Sequence, residues 1–480
     1  MARRATLTHD TLVALGPEKL AKLVLDEAGR NAAFKRIVTA ALAGAQGPDA
    51  IAAIIDRRLA ALERARGKIE WEKRKAFAAD LEATLATITD QLGAADPATA
   101  VERILRFLAT AAGVFERVDD SSGQVQEVYS AAAGAFSSLA ERLADDDKAQ
   151  LPERLMPLLL ADSYGLIERV VSAVIPLLPA AAGARFDTAL AAVAHEIGPV
   201  SDERRHWQQQ LRRDRVIRAR QAIADQRGDV DAFIALEHGC GAQRPDSLGI
   251  AERLLAAGRT SEALDWVRRP ARAGLRVMRW QDLGDGTGGR DLSDLAQVQL
   301  EVRILQAMGD HEAAQALRWQ TFEATLDAAL LRDYLAHLPD FAEFEALDRA
   351  FAHAATYPHR YTSLAFLLAW PQLDFAAKLV LDHRETWDGR HYGALVPAAE
   401  ALEEAHPAAA TVLYRALIDD ILMRARSPAY GHAARYLARL DALADRTDPS
   451  PDLPDHAAYR ANLNLAHGRK IGFWSLVHGR

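Results

Sequence analysis

A single cysteine, Cys240, stands in a chain of 480 residues. That excludes intramolecular disulfides and any cysteine-cluster metal site, and it makes a reducing compartment the expected setting. Long apolar runs are missing as well. The least polar stretch, residues 170–184, is fifteen residues long and is broken by Pro176 and Pro179, short of the roughly 20 residues a bilayer span needs. The opening MARRATLTHD has two arginines with no apolar run behind them, so no secretory signal is read there. The expectation is a soluble, cytoplasmic protein with no membrane partner. Basic residues are not in excess either: 58 Lys and Arg face 66 Asp and Glu, for a net charge of −8. A wholly basic nucleic-acid-binding surface is excluded, and such binding would have to rest on a local patch. Strand signals are nearly absent, with no alternating Val/Ile/Thr run of useful length and no Asn-Gly turn.

What is present is helix-forming. Half the residues are hydrophobic and 26% are charged, enough for a sizeable core, and alanine and leucine, both helix-favouring, dominate. The clearest unit runs from Asp291 to Glu323. Leu295, Val298, Val302, Leu305 and Met308 recur at helical spacing, then Ala313, Ala314, Leu317 and Phe322 after a hinge at Gly309-Asp310. Residues 251–269 repeat that logic around Gly258, and looser versions lie at 341–382 and 394–444. Hairpins this short cannot cover their own apolar faces, so they need neighbours of the same kind. The expected class is all-α, with stacked helical hairpins in a degenerate tetratricopeptide- or HEAT-like α-solenoid. The expected organisation is an N-terminal α-helical domain over 1–227, a helical-repeat domain over 250–446, and a proline-containing tail with a terminal helix over 447–480.

Within the first half, helices are expected over 17–27, 48–66 and 69–92, and again from Pro97. Ser121 and Gln124 have the S-x-x-Q form of a capping box, opening a helix that runs towards the acidic residues Asp145, Asp146 and Asp147. Those aspartates suit the start of the next helix better than the end of this one.

Enzyme motifs fail on inspection. His195-Glu196 and His311-Glu312 begin H-E-x-x-H, but Pro199 and Gln315 stand where the second histidine is required. Gly284, Gly286 and Gly289 spell G-x-G-x-x-G, which binds a dinucleotide only inside a βαβ unit. With no parallel sheet in prospect, it reads as a loop between helices. Cys240 beside His238 lacks the spacing and oxyanion site of a thiol–imidazole dyad; a small buried hydrophobe is the ordinary reading.

Three candidate sites remain. Arg117, Asp119, Asp120 and Ser121 could hold a cation or clamp an anion, or could simply cap a helix. A basic stretch carries Arg204, Arg205, Arg212, Arg213, Arg215, Arg218 and Arg220 with Trp207 close by. It suits phosphate binding with base stacking, or a salt-bridged face. Trp266, Arg318, Trp319 and Tyr334 are the residue types that anchor protein partners, if they stand exposed on the repeat half.

LGPEKLAKLVLDEA (15–28), FERVDDSSGQV (115–125), ADSYGLIERV (161–170), the 292–325 unit and HPAAATVLYRALIDDIL (406–422) together resemble an uncharacterised bacterial all-helical family, a domain of unknown function. That family is similar to the helical part of proteins carrying a SWIM-type zinc finger. The finger needs a Cys-x-Cys pair followed by Cys and His, which Cys240 alone cannot supply, so the resemblance implies the helical fold and neither zinc nor its nucleic-acid role. The leading expectation is a non-enzymatic scaffold that holds a peptide or partner protein in a helical-repeat groove. The alternatives are a nucleic-acid-associated factor acting through Arg204–Arg220, and a metal- or phosphate-dependent enzyme at Asp119 and Asp120. No cofactor or metal is expected; the oligomeric state stays open.

Overall fold

A computed structural model describes residues 8–31, 34–35, 38–39, 42, 47–198, 207–239, 245–272, 274–446 and 453–479. Among them helix is nearly the sole regular structure, and strand is confined to Arg276–Val277 and Arg290–Asp291, which pair antiparallel. The protein is all-α. No described helix is long and apolar enough to cross a membrane. The chain divides into two compact units, 1–245 and 246–480.

In the first unit, prolines open three helices at the position where a missing N–H costs nothing: Pro17–Arg30, Pro48–Arg64 and Pro97–Ala109. The core gathers on Gln124–Glu141, against which Pro97–Ala109, Arg74–Ala86 and Leu166–Val174 pack. The helix expected over 69–92 starts late, because Ile69 is drawn into a bridge with Val118. It also loosens into a π turn at Thr87–Leu92. The three aspartates do begin the following helix, Asp145–Ala161, where its positive dipole end suits them.

Tyr129 sits at the centre of this core. Its ring stacks on Phe107 at 4.8 Å and meets Phe115 edge-on at 5.2 Å, while its hydroxyl shares a 2.7 Å hydrogen bond with Thr110. Burial pushes the phenol up to about 12. The unfolded phenol ionises near its ordinary value of about 10. Tyr129 thus contributes stability that is complete below about pH 10 and is lost as pH rises through about 12. Titrated spectroscopically, wild type minus Tyr129→Phe should show one phenol ionising near that upper value. A difference curve centred near 10 would contradict the burial.

The second unit is built from hairpins whose turns share one device. Gly258 and Gly309 both take left-handed φ values, +74° and +80°. In both, the glycine N–H and the N–H after it return to carbonyls of the preceding turn: Gly258 to Leu255 and Arg259 to Leu254, Gly309 to Gln306 and Asp310 to Leu305. This double closure caps the first helix. Asp310 then accepts from the Ala313 N–H and opens the second. Ser247–Ala256 packs on Thr260–Val267, that helix on Leu292–Ala307, and Leu292–Ala307 on His311–Thr325. Phe322 ties the array to later helices, with ring contacts to Trp319 at 5.3 Å and Phe366 at 5.4 Å. The described residues 453–479 fall in this unit, with Ile471–Val477 packed on Tyr430–Leu443.

The glycine motif has a structural explanation. It lies between the two short antiparallel strands, not in a βαβ unit. Asp285, the last residue of the short helix Trp280–Asp285, accepts from the backbone N–H groups of Tyr361 (2.9 Å) and Thr362 (2.8 Å), capping Arg360–Ala369. A Cβ on Gly284 would come within 2.5 Å of the buried Tyr361 ring, so only glycine lets this short helix approach Arg360–Ala369.

Candidate functional site

Of the four residues expected to anchor a partner, Arg318 and Trp266 are interior. Arg318 is 2% exposed and Trp266 8% exposed. Arg318 Nε donates to Asp333 at 2.5 Å and Nη1 to Gln315 at 3.1 Å, so the guanidinium staples one helix to the next. Trp319 and Tyr334 are half-buried against each other at 5.1 Å. Arg349 covers the other reach of the Trp319 ring at 3.7 Å. The exposure expected of the group fails for Arg318 and Trp266 because the hairpin needs them for packing.

Arg204 and Arg205 lie outside the described residues, as does Cys240. The rest of the basic stretch falls in Trp207–Arg227. Arg218 pairs with Glu168 at 2.5 Å, Arg220 with Asp187 at 2.7 Å, and Arg213 donates to the carbonyls of Ala194 and Gly198. Arg212 and Arg215 have no ion pair among the described residues, and Trp207 is 58% exposed. Much of the positive charge is therefore spent within the unit.

The 117–123 loop is a helix cap, though not through Ser121. Asp120 accepts from the Val125 N–H (3.1 Å) and the Gln126 N–H (2.8 Å), with Gly123 left-handed between them. Asp162 repeats the arrangement, accepting from Ile167 (2.9 Å) and Glu168 (3.1 Å) with Gly165 left-handed. Arg117 donates to the carbonyls of Gly113 and Gly67, and Asp119 accepts from Ser121 N–H. The same loop chemistry at two helix starts is what capping demands. Among the described residues no group of three or more His, Cys, Asp or Glu is placed to hold a metal ion. Asp120→Ala is expected to cost about 1 kcal/mol of stability; a larger effect on a binding activity than on denaturant midpoint would return the loop to consideration.

A hollow with polar walls lies elsewhere, in the second unit. It is a cavity of about 640 Å³ between the 384–389 turn, the helix Pro407–Met423 and the start of His456–His467. Gly389 lets the turn lie against that helix, because a Cβ there would overlap the Ala416 carbonyl. Trp387 closes one wall, its indole N–H donating to the Val380 carbonyl at 3.0 Å.

Arg415 faces this space and is 8% exposed. Its guanidinium lies 4.5 Å from the centre of the Tyr459 ring. Its Nε has no hydrogen-bond partner, and it forms no ion pair among the described residues. Leaving such a donor unsatisfied costs about 1–3 kcal/mol. Burial lowers the guanidinium's proton affinity, opposed by the nearby Asp419 and Asp455 charges. One turn on, Asp419 accepts from the Tyr459 hydroxyl at 2.9 Å. Burial raises the Asp419 carboxyl above its usual range, offset by that hydrogen bond and by the His467 and Arg415 charges. Burial and the adjacent Asp419 push the Tyr459 phenol well up. The cavity thus presents one unpaired cation on an aromatic face, beside a carboxyl–phenol pair.

A second hollow, of about 450 Å³, lies where the neighbouring Tyr414 faces, with Tyr392, Tyr436, Arg435 and Arg439 around it. Its arginines are partnered: Arg439 pairs at 3.2 Å with Glu403, which also accepts from the Tyr414 hydroxyl, and Arg435 meets His432 at 2.9 Å. The Arg415 cavity is therefore the stronger site.

A family model described as a family of unknown function (DUF6880) matches residues 2–476. The chain belongs to that family. No curated protein and no solved structure matches it. The DUF6880 match runs through both units, so Arg415, Asp419 and Tyr459 all lie within the family's domain. Sequence reasoning passed over these three. The available signal was an arginine inside the largely apolar run ATVLYRALIDDIL of this DUF6880 chain, where Leu413, Tyr414, Leu417 and Ile418 around it are buried.

Proposed function

We propose that the chain is a non-enzymatic protein-interaction scaffold, its second unit a degenerate tetratricopeptide- or HEAT-like stack of hairpins that holds a peptide segment of a partner protein. The observation carrying this reading is the buried, unpaired Arg415 guanidinium facing a cavity of about 640 Å³. The groups there suit holding rather than turnover. The Tyr459 hydroxyl donates to Asp419 at 2.9 Å, which fixes the hydrogen-bonding positions on that wall. The cavity's size matches a few side chains of an extended peptide.

The test is selection of a random peptide display library on the immobilised full-length chain, with hydrogen exchange on the chain bound to the selected peptides. Enrichment with protection of 384–389 and 412–423 is the expected result. No enrichment over a chain carrying Arg415→Met, or protection confined to other segments, would overturn the reading.

A further inference from the structure

Resting on that binding role, we propose that the Arg415 cavity is a receptor for a single carboxylate attached to an apolar group: the C-terminal carboxylate of a peptide with an apolar last residue, or a free apolar monocarboxylic acid.

The chemistry of the walls selects this ligand. A guanidinium offers five N–H donors in a planar fork that matches the two oxygens of a carboxylate. The Tyr459 ring under Arg415 stabilises its charge but accepts no in-plane hydrogen bond, so the fork's donors still call for an acceptor. Asp419, one turn along the same helix, is turned to the Tyr459 hydroxyl and forms no ion pair with Arg415 among the described residues. Arg384, also on the cavity wall, donates to the Leu381 carbonyl.

Charge sets the ligand's valence. Glu385, Asp388 and Asp420 also line the cavity. Asp388 is held by Arg390 at 2.7 Å, and Asp420 lies 3.6 Å from Arg424. One buried cation among these carboxylates favours a monoanion over a phosphate dianion, since only the partly exposed Arg384 stands on the wall to offset a second charge. Val412, Met423 and Leu453 form an apolar part of the wall that suits a hydrocarbon tail.

The experiment is calorimetric titration of the full-length chain with four probes. These are a tetrapeptide library with apolar last residues and free C-termini, the same library as C-terminal amides, hexanoate, and inorganic phosphate. Free-acid peptides should bind at least tenfold tighter than the amides. Arg415→Met should abolish the difference and Arg415→Lys keep part of it, since a lysine preserves charge but not the fork. Arg415→Met removes an unpaired buried cation, so it should fold at least as well as wild type, which a thermal melt will show. Acids and amides binding equally would overturn the carboxylate inference and leave the scaffold standing. Hexanoate binding without any peptide binding would uphold the carboxylate and overturn the scaffold. Phosphate binding as tightly as the acids, or silence from all four probes, would overturn the inference.

Discussion

Phe322→Ala should lower the stability of the second unit by about 3–5 kcal/mol, a large share of the roughly 5–15 kcal/mol that holds an ordinary domain together. Phe322 is fully buried. It meets Trp319 from its own helix, Phe366 from Arg360–Ala369 and His353 from Ala342–Ala355, at 5.3, 5.4 and 6.4 Å. Truncation removes the transfer energy of a whole ring, leaves a cavity, and breaks ring contacts worth about 0.5–1.5 kcal/mol each beyond their area. Because Phe322 joins the 292–325 hairpin to helices that follow it, the loss should appear as early hydrogen exchange across both elements. Denaturant unfolding of the full-length variant would measure the size. A midpoint change equivalent to less than about 1 kcal/mol would mean that the surrounding side chains collapse into the space.

The hairpin around Phe322 was legible because its signals are local. The apolar period and the glycine hinge at Gly309 lie within one stretch of chain, and the left-handed turn that glycine permits is what the structure uses. The cap at 117–123 was legible in kind but not in detail, since Asp and Ser both accept from helix N–H groups. The second Asp-x-x-Gly loop, at 162–165, favours Asp120 as the acceptor. Asp285 capping Arg360–Ala369 was not legible at all, because the partners are more than seventy residues apart and neither carries a mark of the other.

Arg415 and Arg318 show a different limit. Both are cations on faces that the period marks as buried. Ala314, Arg318 and Phe322 follow one another at spacing four, and the outer two are fully buried, so the inward direction of Arg318 could be read from its neighbours. Residue type pointed to a hot spot, position pointed to the core, and position won. The two arginines then diverge for a reason no pattern reveals: Arg318 finds a carboxylate on the next helix and Arg415 finds an aromatic face.

That contrast sets the second large effect. Asp333→Ala removes the acceptor 2.5 Å from the Arg318 Nε and leaves a guanidinium that is 2% exposed with only Gln315 for company. Breaking a buried pair from one side costs about 3–5 kcal/mol. Asp333 itself is 47% exposed at its side chain, so water can replace part of the lost partner, and a loss on the order of 3 kcal/mol is expected. Arg318→Met should behave oppositely, removing the charge while keeping most of the packed stem, and should cost less than about 1.5 kcal/mol. Placed in the Asp333→Ala background, Arg318→Met should restore most of the lost stability, because no buried charge remains to be compensated. Denaturant midpoints of the two single variants and the double one give the coupling directly. Additive losses would show that the pair is held by packing alone. Rescue would show that the residue resembling a partner anchor works as an internal staple, so that weakened partner capture by an Arg318 variant would report on folding.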